Sequence, residues 1–269
     1  MQHLFPVWQE FSKRLKAARR VLLLCDYDGT LTPIVDRPEL AELSEKTRQM
    51  LQALVRQSHF TVGIISGRAL ADLRQRVGVS NIIYAGNHGL EIEGPGVSLV
   101  MPLAAEMRPV LRLINQVLNK ALAPIRGVQV EDKGLTISVH YRMVEESKTE
   151  EVTNAFERVI ATARSLGKVR ITSGKKVYEV RPAVEWDKGE AIALLIERFG
   201  KTKTKKELLP IYLGDDQTDE DGFKVIEKHD GISVFVGEEI GSSAARYYLK
   251  SPAEVEQFLD RLIHPVPSG

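Results

Sequence analysis

Along residues 21–86, short runs rich in apolar and β-branched residues alternate with longer stretches of helical periodicity. The spacing predicts a strand over 21–26, a helix over 42–57, a strand over 60–66 (FTVGIIS), a helix over 69–77 and a strand over 81–86 (NIIYAG). Continuously apolar runs separated by helices point to right-handed βαβ units and a parallel sheet covered on both faces. The next segment, LEIEGPGVSLVM, has two alternating runs about Gly94-Pro95-Gly96, the sequence form of a hairpin.

From about 103 to 182 the order changes to a helix over 103–122, two strands (VQVEDKG, LTISVHYR), a helix over 146–166 and two more strands (KVRITS, KVYEVRP). A helix followed by a strand pair, twice over, predicts helices on one face of an antiparallel sheet, packed as a unit of its own. Doubly wound character then resumes: a helix over 188–199, a strand over 208–213, a helix over 219–228, a strand over 232–236 and a short run at 245–249. A terminal helix follows, with Ser251 as its cap and Pro252 in its first turn. The predicted class is α/β: a doubly wound, Rossmann-like parallel-sheet core from 1–102 and 183–269, with 103–182 inserted as an α+β cap domain. Linkers are expected near Met101-Pro102 and Arg181-Pro182.

Bulk properties narrow the class. The 269 residues are 43% hydrophobic and 27% charged, which suits a folded protein with a sizeable core. Formal net charge is +1, and the dense basic run at 201–206 reads as a solvated loop, so no nucleic-acid partner is expected. The single cysteine, Cys25, rules out an intramolecular disulfide and favours a reducing, cytoplasmic location. No apolar stretch approaches the roughly 20 residues of a membrane span, so no membrane partner is expected. The opening MQHLFPVWQEFSKRLKAARR lacks the apolar region of a secretory signal; its Leu, Trp and Phe spacing suits a docked amphipathic helix, preferred over a basic transit peptide.

In an open parallel sheet, ligands collect beyond the carboxyl ends of the strands. Those ends carry Asp26-Tyr27-Asp28-Gly29-Thr30, Ser66-Gly67-Arg68, Asn87-His88-Gly89 and Asp215-Asp216. Asp26 and Asp28 face one crevice if the strand breaks between them. With Asp215 and Asp216 added, several negative charges converge, and a hard dication with oxygen ligands relieves that repulsion. Mg2+ fits best, since it is held by few carboxylates together with water and substrate phosphate. The plainer alternative makes Asp-Gly a turn and Gly-Asp-Asp a helix cap. Two such motifs with positive residues between them favour the site. Lys188 stands in a first helical turn, where the dipole disfavours cations, and is either an anion ligand or a solvated lysine beside a glutamate. Ser66 and the amides of Gly67 and Arg68 open a helix as a phosphate cradle, a role compatible with Ser66 as a plain N-cap. A carboxylate nucleophile, a second aspartate moving the proton, and Mg2+ with lysine against the phosphoryl group would hydrolyse a phosphate ester in two displacements.

These residues carry a resemblance. DYDGTLTPI, IISGR, Lys188 and GDDQTDED stand in the order of the four motifs of haloacid dehalogenase-like phosphatases. DYDGTLTPI with AGNHGLEI, VEDKGLTISVHYR and VYEVRP is similar, more narrowly, to the trehalose-phosphatase family, cap included. The resemblance implies hydrolysis of trehalose 6-phosphate through an aspartyl-phosphate, with Asp26 as nucleophile and Asp28 as general acid/base. It implies Mg2+ bound by the Asp26 carboxylate, the Asp28 carbonyl and Asp215, with Asp219 near the metal and Asp216 orienting its neighbours. Ser66, Gly67, Lys188 and Thr30 would hold the phosphate, and Arg68 with Asn87, His88 and Gly89 would line the core side of the sugar site. From the cap, Glu131, Lys133, Arg142, Lys176 and Glu179 would contact the disaccharide. Glu131 with Lys133, and His140 with Arg142, each share a strand face; the plain alternative is the solvent face of a half-buried sheet. Cap closure would read the sugar and exclude water. A monomer is expected, with a trehalose-6-phosphate synthase as a further partner. One departure is Glu238-Glu239, where a shorter glycine-rich turn is expected; it touches local loop shape and not the chemistry.

Two competing readings remain. One is a phosphatase for another sugar phosphate, such as sucrose-6-phosphate or mannosyl-3-phosphoglycerate, which the cap motifs disfavour. The other is a non-catalytic phosphate-sensing regulatory protein, whose loss of turnover would show as a missing Asp26, Asp28, Lys188 or Asp215; all four are present.

Overall fold

The computed structural model describes residues 1–35, 37–174, 176–200, 208–238 and 242–264. The basic run at 201–206 and Glu239 lie outside the described residues. In chain order the elements are β1 (Gln2–His3), α1 (Trp8–Ala17), β2 (Arg20–Cys25), α2 (Glu45–Val55), β3 (Phe60–Ile65), α3 (Leu70–Val77), β4 (Ile83–Gly86), β5 (Glu91–Gly94) and β6 (Val97–Val100). Then come α4 (Pro102–Glu106), α5 (Arg108–Leu122), β7 (Gln129–Asp132), β8 (Ile137–His140), α6 (Thr149–Ser165), β9 (Val169–Gly174) and β10 (Val177–Pro182). The chain continues through α7 (Lys188–Phe199), β11 (Leu208–Gly214), α8 (Glu220–Lys228), β12 (Ile232–Val236), β13 (Tyr247–Leu249) and α9 (Pro252–Ile263). It divides into two compact units, Met1–Leu99 with Trp186–Gly269, and Val100–Glu185.

The first unit is built on one sheet in the order β1-β13-β12-β11-β2-β3-β4-β5-β6. The pairings from β1 through β4 are parallel, and β5 returns antiparallel to β4. Central β2 is apolar on both sides because each side is covered. Val21, Leu23 and Cys25 pack with Phe11, Leu51, Leu73 and Phe258, whereas Leu22 and Leu24 pack with Ile192, Leu195, Phe223 and Ile226. Period-2 alternation thus sends successive β2 side chains to opposite helical layers. Helix α1 docks by Phe11, while Trp8 stacks on Phe11 at 4.7 Å.

In the second unit the sheet order is β7-β8-β10-β9, with antiparallel pairing. Leu111, Ile114, Leu118 and Leu122 of α5 and Val152, Phe156 and Ile160 of α6 cover one face. The Phe156 ring stacks on Tyr178 at 4.6 Å. Val130, Val139 and Tyr178 form a cross-strand row on that covered face, so Glu131, Ser138 and Glu179, opposite one another in register, point to the other face.

Local details refine these expectations. The helix expected over 103–122 breaks at Met107, because Pro109 has no N–H and its ring excludes a continuous helix through the preceding turn. The chain passes between the two units at Leu99–Val100 and Glu185–Trp186, close to the expected linkers, while Pro102 itself opens α4 and Arg181 and Pro182 close β10 against Arg170 and Val169. Ser251 holds the N-cap position of α9 with no side-chain cap bond; Glu254 instead accepts from the Lys250 amide at 2.8 Å. Strand β1 was not expected, being too short to show any periodicity. No helix among the described residues is long and apolar enough to cross a membrane.

Candidate active site

Strands β11, β2, β3 and β4 are parallel neighbours, so their carboxyl ends share one edge. Asp26 follows β2, Ser66 follows β3, Asn87 follows β4 and Asp215 follows β11. After β2 the chain turns sharply, the amides of Leu31 and Thr32 both donating to the Tyr27 carbonyl. Gly29 occupies the left-handed region at φ +81°, and a Cβ there would lie 2.0 Å from Asp215 Oδ2. The turn glycine therefore supplies the backbone geometry and vacates the space that the Asp215 carboxylate fills. Thr30, expected on phosphate, is buried and donates from Oγ1 to Asp215 Oδ1 at 3.3 Å.

Helix α7 starts where Asp187 caps it, accepting from the Glu190 amide at 3.1 Å. Its first residue, Lys188, is 3% exposed, which disposes of the solvated alternative. The ammonium donates to Asp26 Oδ1 at 2.8 Å and to Asp219 Oδ1 at 2.6 Å. Burial opposes its charge, but Asp219 and Asp26 outweigh that cost and hold it well above the usual lysine range. On the acidic side, burial raises Asp26 well above the carboxylate range; Lys188 works against that rise, and Asp219 and Asp215 add to it. Asp215 is pushed up to about 8, by burial first and then by the charges of Asp219 and Asp216. Asp216 is turned out of this competition: Thr218 donates to it from amide and hydroxyl, and its carboxyl lies below the usual range because Lys188 and these bonds overcome its burial.

Asp219 is the hub. Its Oδ1 accepts from Lys188 and from the Tyr212 hydroxyl, and its Oδ2 accepts from the amides of Asp215 (2.9 Å) and Asp216 (3.1 Å). The carboxylate fits because Gly214 has no side chain; a Cβ there would lie 2.3 Å from Asp219 Cγ. Carboxylate oxygens of Asp26, Asp215 and Asp219 all lie within 4.8 Å of one another. Among the described residues this group sets three buried or half-buried carboxylates against one ammonium, and burial together with their mutual repulsion raises Asp26 and Asp215. An all-oxygen set of this kind suits a hard dication, with Asp26 and Asp215 the ones whose acceptor sites are less fully occupied.

The Asp28 carboxylate is held by Arg68, whose Nε donates to it at 2.8 Å and Nη2 at 2.6 Å. Arg68 also donates to Asp72 Oδ2 at 2.9 Å and to the Pro38 carbonyl at 2.7 Å, and its guanidinium lies over the Tyr27 ring. A buried guanidinium needs anions around it, and Arg68 finds them in Asp28 and Asp72. Ser66 is not an N-cap: Ala69 takes that position of α3, and Ser66 Oγ accepts from the Arg68 amide at 3.2 Å. The cradle expected from the amides of Gly67 and Arg68 thus precedes the helix instead of opening it. Asn87, His88 and Gly89 are buried with φ of 49°, 58° and 87°. Two of their amides brace the Ser66 turn, Asn87 donating to the Arg68 carbonyl and His88 to the Ser66 carbonyl. Gly67 permits this packing, since a Cβ there would lie 2.7 Å from the His88 ring.

In the second unit, the five expected sugar contacts separate into groups. Lys133 Nζ donates to Glu179 Oε1 at 3.4 Å and lies 4.0 Å from Glu131, and Glu131 pairs with His140 Nε2 at 3.0 Å. Lys176 instead pairs with Glu146 at 3.1 Å beside the Tyr141 ring, and Arg142 is exposed on the turn after β8. The residue overlooked was Tyr212. Its signal was a tyrosine inside LLPIYLG, since a buried hydroxyl must find a partner.

Gly29→Ala is expected to destabilise the protein by at least about 1–2 kcal/mol, the cost of a left-handed residue with a Cβ, with the Asp215 clash in addition. Chemical denaturation measures it, and an unchanged midpoint would contradict the packing described.

A family model described as Trehalose-phosphatase matches residues 24–253. "Probable trehalose-phosphate phosphatase D" of Arabidopsis thaliana is 34% identical over 267 residues, covering 96% of this chain and 70% of that protein. The C. albicans trehalose-6-phosphate phosphatase C-terminal domain has a TM-score of 0.82 at 26% identity and covers 98% of each chain. The Candida albicans trehalose synthase regulatory protein C-terminal domain, 14% identical with a TM-score of 0.71 and covering 94% of this chain and 97% of that one, shares the fold. The family match runs through both segments of the first unit and the whole of the second, and the chain belongs to the trehalose-phosphatase family.

Proposed function

We propose that this phosphatase hydrolyses trehalose 6-phosphate through an aspartyl-phosphate on Asp26, with Asp28 as general acid/base. The observation that carries the reading is the buried Lys188 on Asp26, at the strand edge that also holds Asp215. Asp26 attacks phosphorus as the bond to the sugar oxygen breaks, and Asp28 supplies the proton that the leaving alkoxide takes up. Asp28 then accepts a proton from the water that cleaves the Asp26–phosphorus bond, which releases phosphate and restores both carboxyl groups. Lys188 neutralises charge on the transferring oxygens, and Ser66 holds one of them. Arg68 keeps Asp28 oriented between these steps.

Asp26, Asp215 and the Asp28 carbonyl would hold Mg2+, which when bound neutralises and orients the phosphoryl group. The acidic group with its raised carboxyls supports that assignment. Glu131, Lys133 and Glu179 recognise the disaccharide, supported by their grouping on the face of the second sheet that its helices leave uncovered.

Phosphate release from trehalose, sucrose and glucose 6-phosphates is expected to favour the first, and Asp26→Asn is expected to lower turnover at least about 1,000-fold. Activity surviving that substitution would exclude the covalent route. Glu131→Ala or Glu179→Ala is expected to cost about 10- to 100-fold on trehalose 6-phosphate and much less on p-nitrophenyl phosphate; equal losses on both would contradict sugar recognition. Because the Asp215 carboxyl must release its proton to solvent before it can bind a metal, Mg2+ affinity measured by calorimetry should rise about tenfold per pH unit until about pH 8 and then level off. In the metal-free protein the raised carboxyl has the opposite consequence, stability declining as pH climbs from the ordinary carboxylate range towards that value. A flat affinity profile would remove Asp215 from the metal site.

A further inference from the structure

A carboxylate offers about four acceptor positions, and in Asp219 all four are filled from within the protein: Lys188, Tyr212 and the amides of Asp215 and Asp216. The two amides fix the loop after β11, and Lys188 is the group that also reaches Asp26. The fourth donor, Tyr212, projects from β11 with no exposure at all. Its ring has a made place: a Cβ on Gly222 would lie 2.6 Å from Tyr212 Cε1, and Phe223 packs at 5.6 Å. A fully buried hydroxyl given this room and aimed at a saturated carboxylate is not explained by core packing, for which phenylalanine would serve.

We infer that Tyr212 is a positioning residue for the phosphoryl transfer: by filling the last acceptor site of Asp219 it keeps that carboxylate off the metal and clamped to Lys188, so that the ammonium stays against Asp26. Without the hydroxyl, one acceptor site of Asp219 Oδ1 is left unfilled beside the ring. The carboxylate is then free to turn, carrying Lys188 away from the nucleophile. This rests on the reading of Lys188 as the group that neutralises the transferring phosphoryl. It assigns Asp219 to the lysine and leaves Asp26 and Asp215 to the metal.

The test is Tyr212→Phe in the full chain, which keeps the ring and removes only the hydroxyl. With trehalose 6-phosphate and saturating Mg2+, kcat is expected to fall about 10- to 100-fold, the usual cost of losing an outer partner, while KM moves less than about threefold. Calorimetry with inorganic phosphate gives a readout independent of turnover, with binding weakened about tenfold and Mg2+ affinity unchanged within about threefold. In an Asp219→Asn background, Tyr212→Phe is expected to add no further loss, because the two act as one unit. Gly222→Ala, which pushes on the ring without touching a carboxylate, is expected to reproduce the kcat loss and covers the case of an unfolded Asp219 variant. A normal kcat and phosphate affinity with only a lower Tm would overturn the inference, as would a full additional loss in the Asp219→Asn background or a matching fall in Mg2+ affinity. Failure of the underlying reading looks different: the unsubstituted chain would not turn over, or Asp26→Asn would stay active.

Discussion

Everything at the active edge follows from burying one lysine. An ammonium taken out of water needs anions at bonding distance, and Lys188 finds them at the ends of two different strands, Asp26 after β2 and Asp219 after β11. Removing one partner from such a pair leaves an uncompensated buried charge, a loss of about 3–5 kcal/mol. That penalty makes the adjacency of β2 and β11 a requirement for placing the site as well as for pairing the sheet. The same constraint reaches the glycines. Gly29 and Gly214 each leave open the volume that a carboxylate occupies, so the acidic group is shaped by missing side chains as much as by present ones.

Much of this was legible in the sequence because the period-2 and helical patterns are strong where elements are buried. Lys188–Phe199 and Ile232–Val236 match their expected bounds, since both are apolar runs flanked by clear punctuation. The strand-end residues were legible for the same reason, a parallel sheet carrying all its carboxyl ends to one edge. What pattern could not convey was direction. Asp26 and Asp28 look equivalent in CDYDGT, yet the first is buried on Lys188 and the second is held by Arg68. Likewise Lys176 and Lys133 both sit near strands of the second unit, but Lys176 has φ 62° and pairs with Glu146. Tyr212 escaped notice because an apolar strand hides a polar tip whose partner lies seven residues on.

Fold alone would not decide between an enzyme and a regulator, since a domain named for regulation shares this architecture. The distinction lies in side chains. Asp26 and Asp215 lie together in an acidic group, with the buried Lys188 bonded to Asp26, and Asp28 is held beside Asp26 in sequence by a guanidinium with anions on two sides. Such an arrangement carries the burial cost of several charges, which a passive scaffold has no need to bear.

The pairing of β2 with β11 also sets an order of assembly. Asp26 and Lys188 stand 162 positions apart, with the whole second unit encoded between them. As the chain emerges, β2 can join β3 and β4 early, and the second unit can consolidate around its own core. One edge of β2, the apolar run Val21, Leu22, Leu23 and Leu24, has no sheet partner until β11 is made. Long-range parallel pairing is slow, and here it is also what delivers the lysine to the nucleophile. Synthesis interrupted before that point yields chains with an open, aggregation-prone edge and an aspartate with no countercharge, so the step that protects the sheet is the step that completes the catalyst.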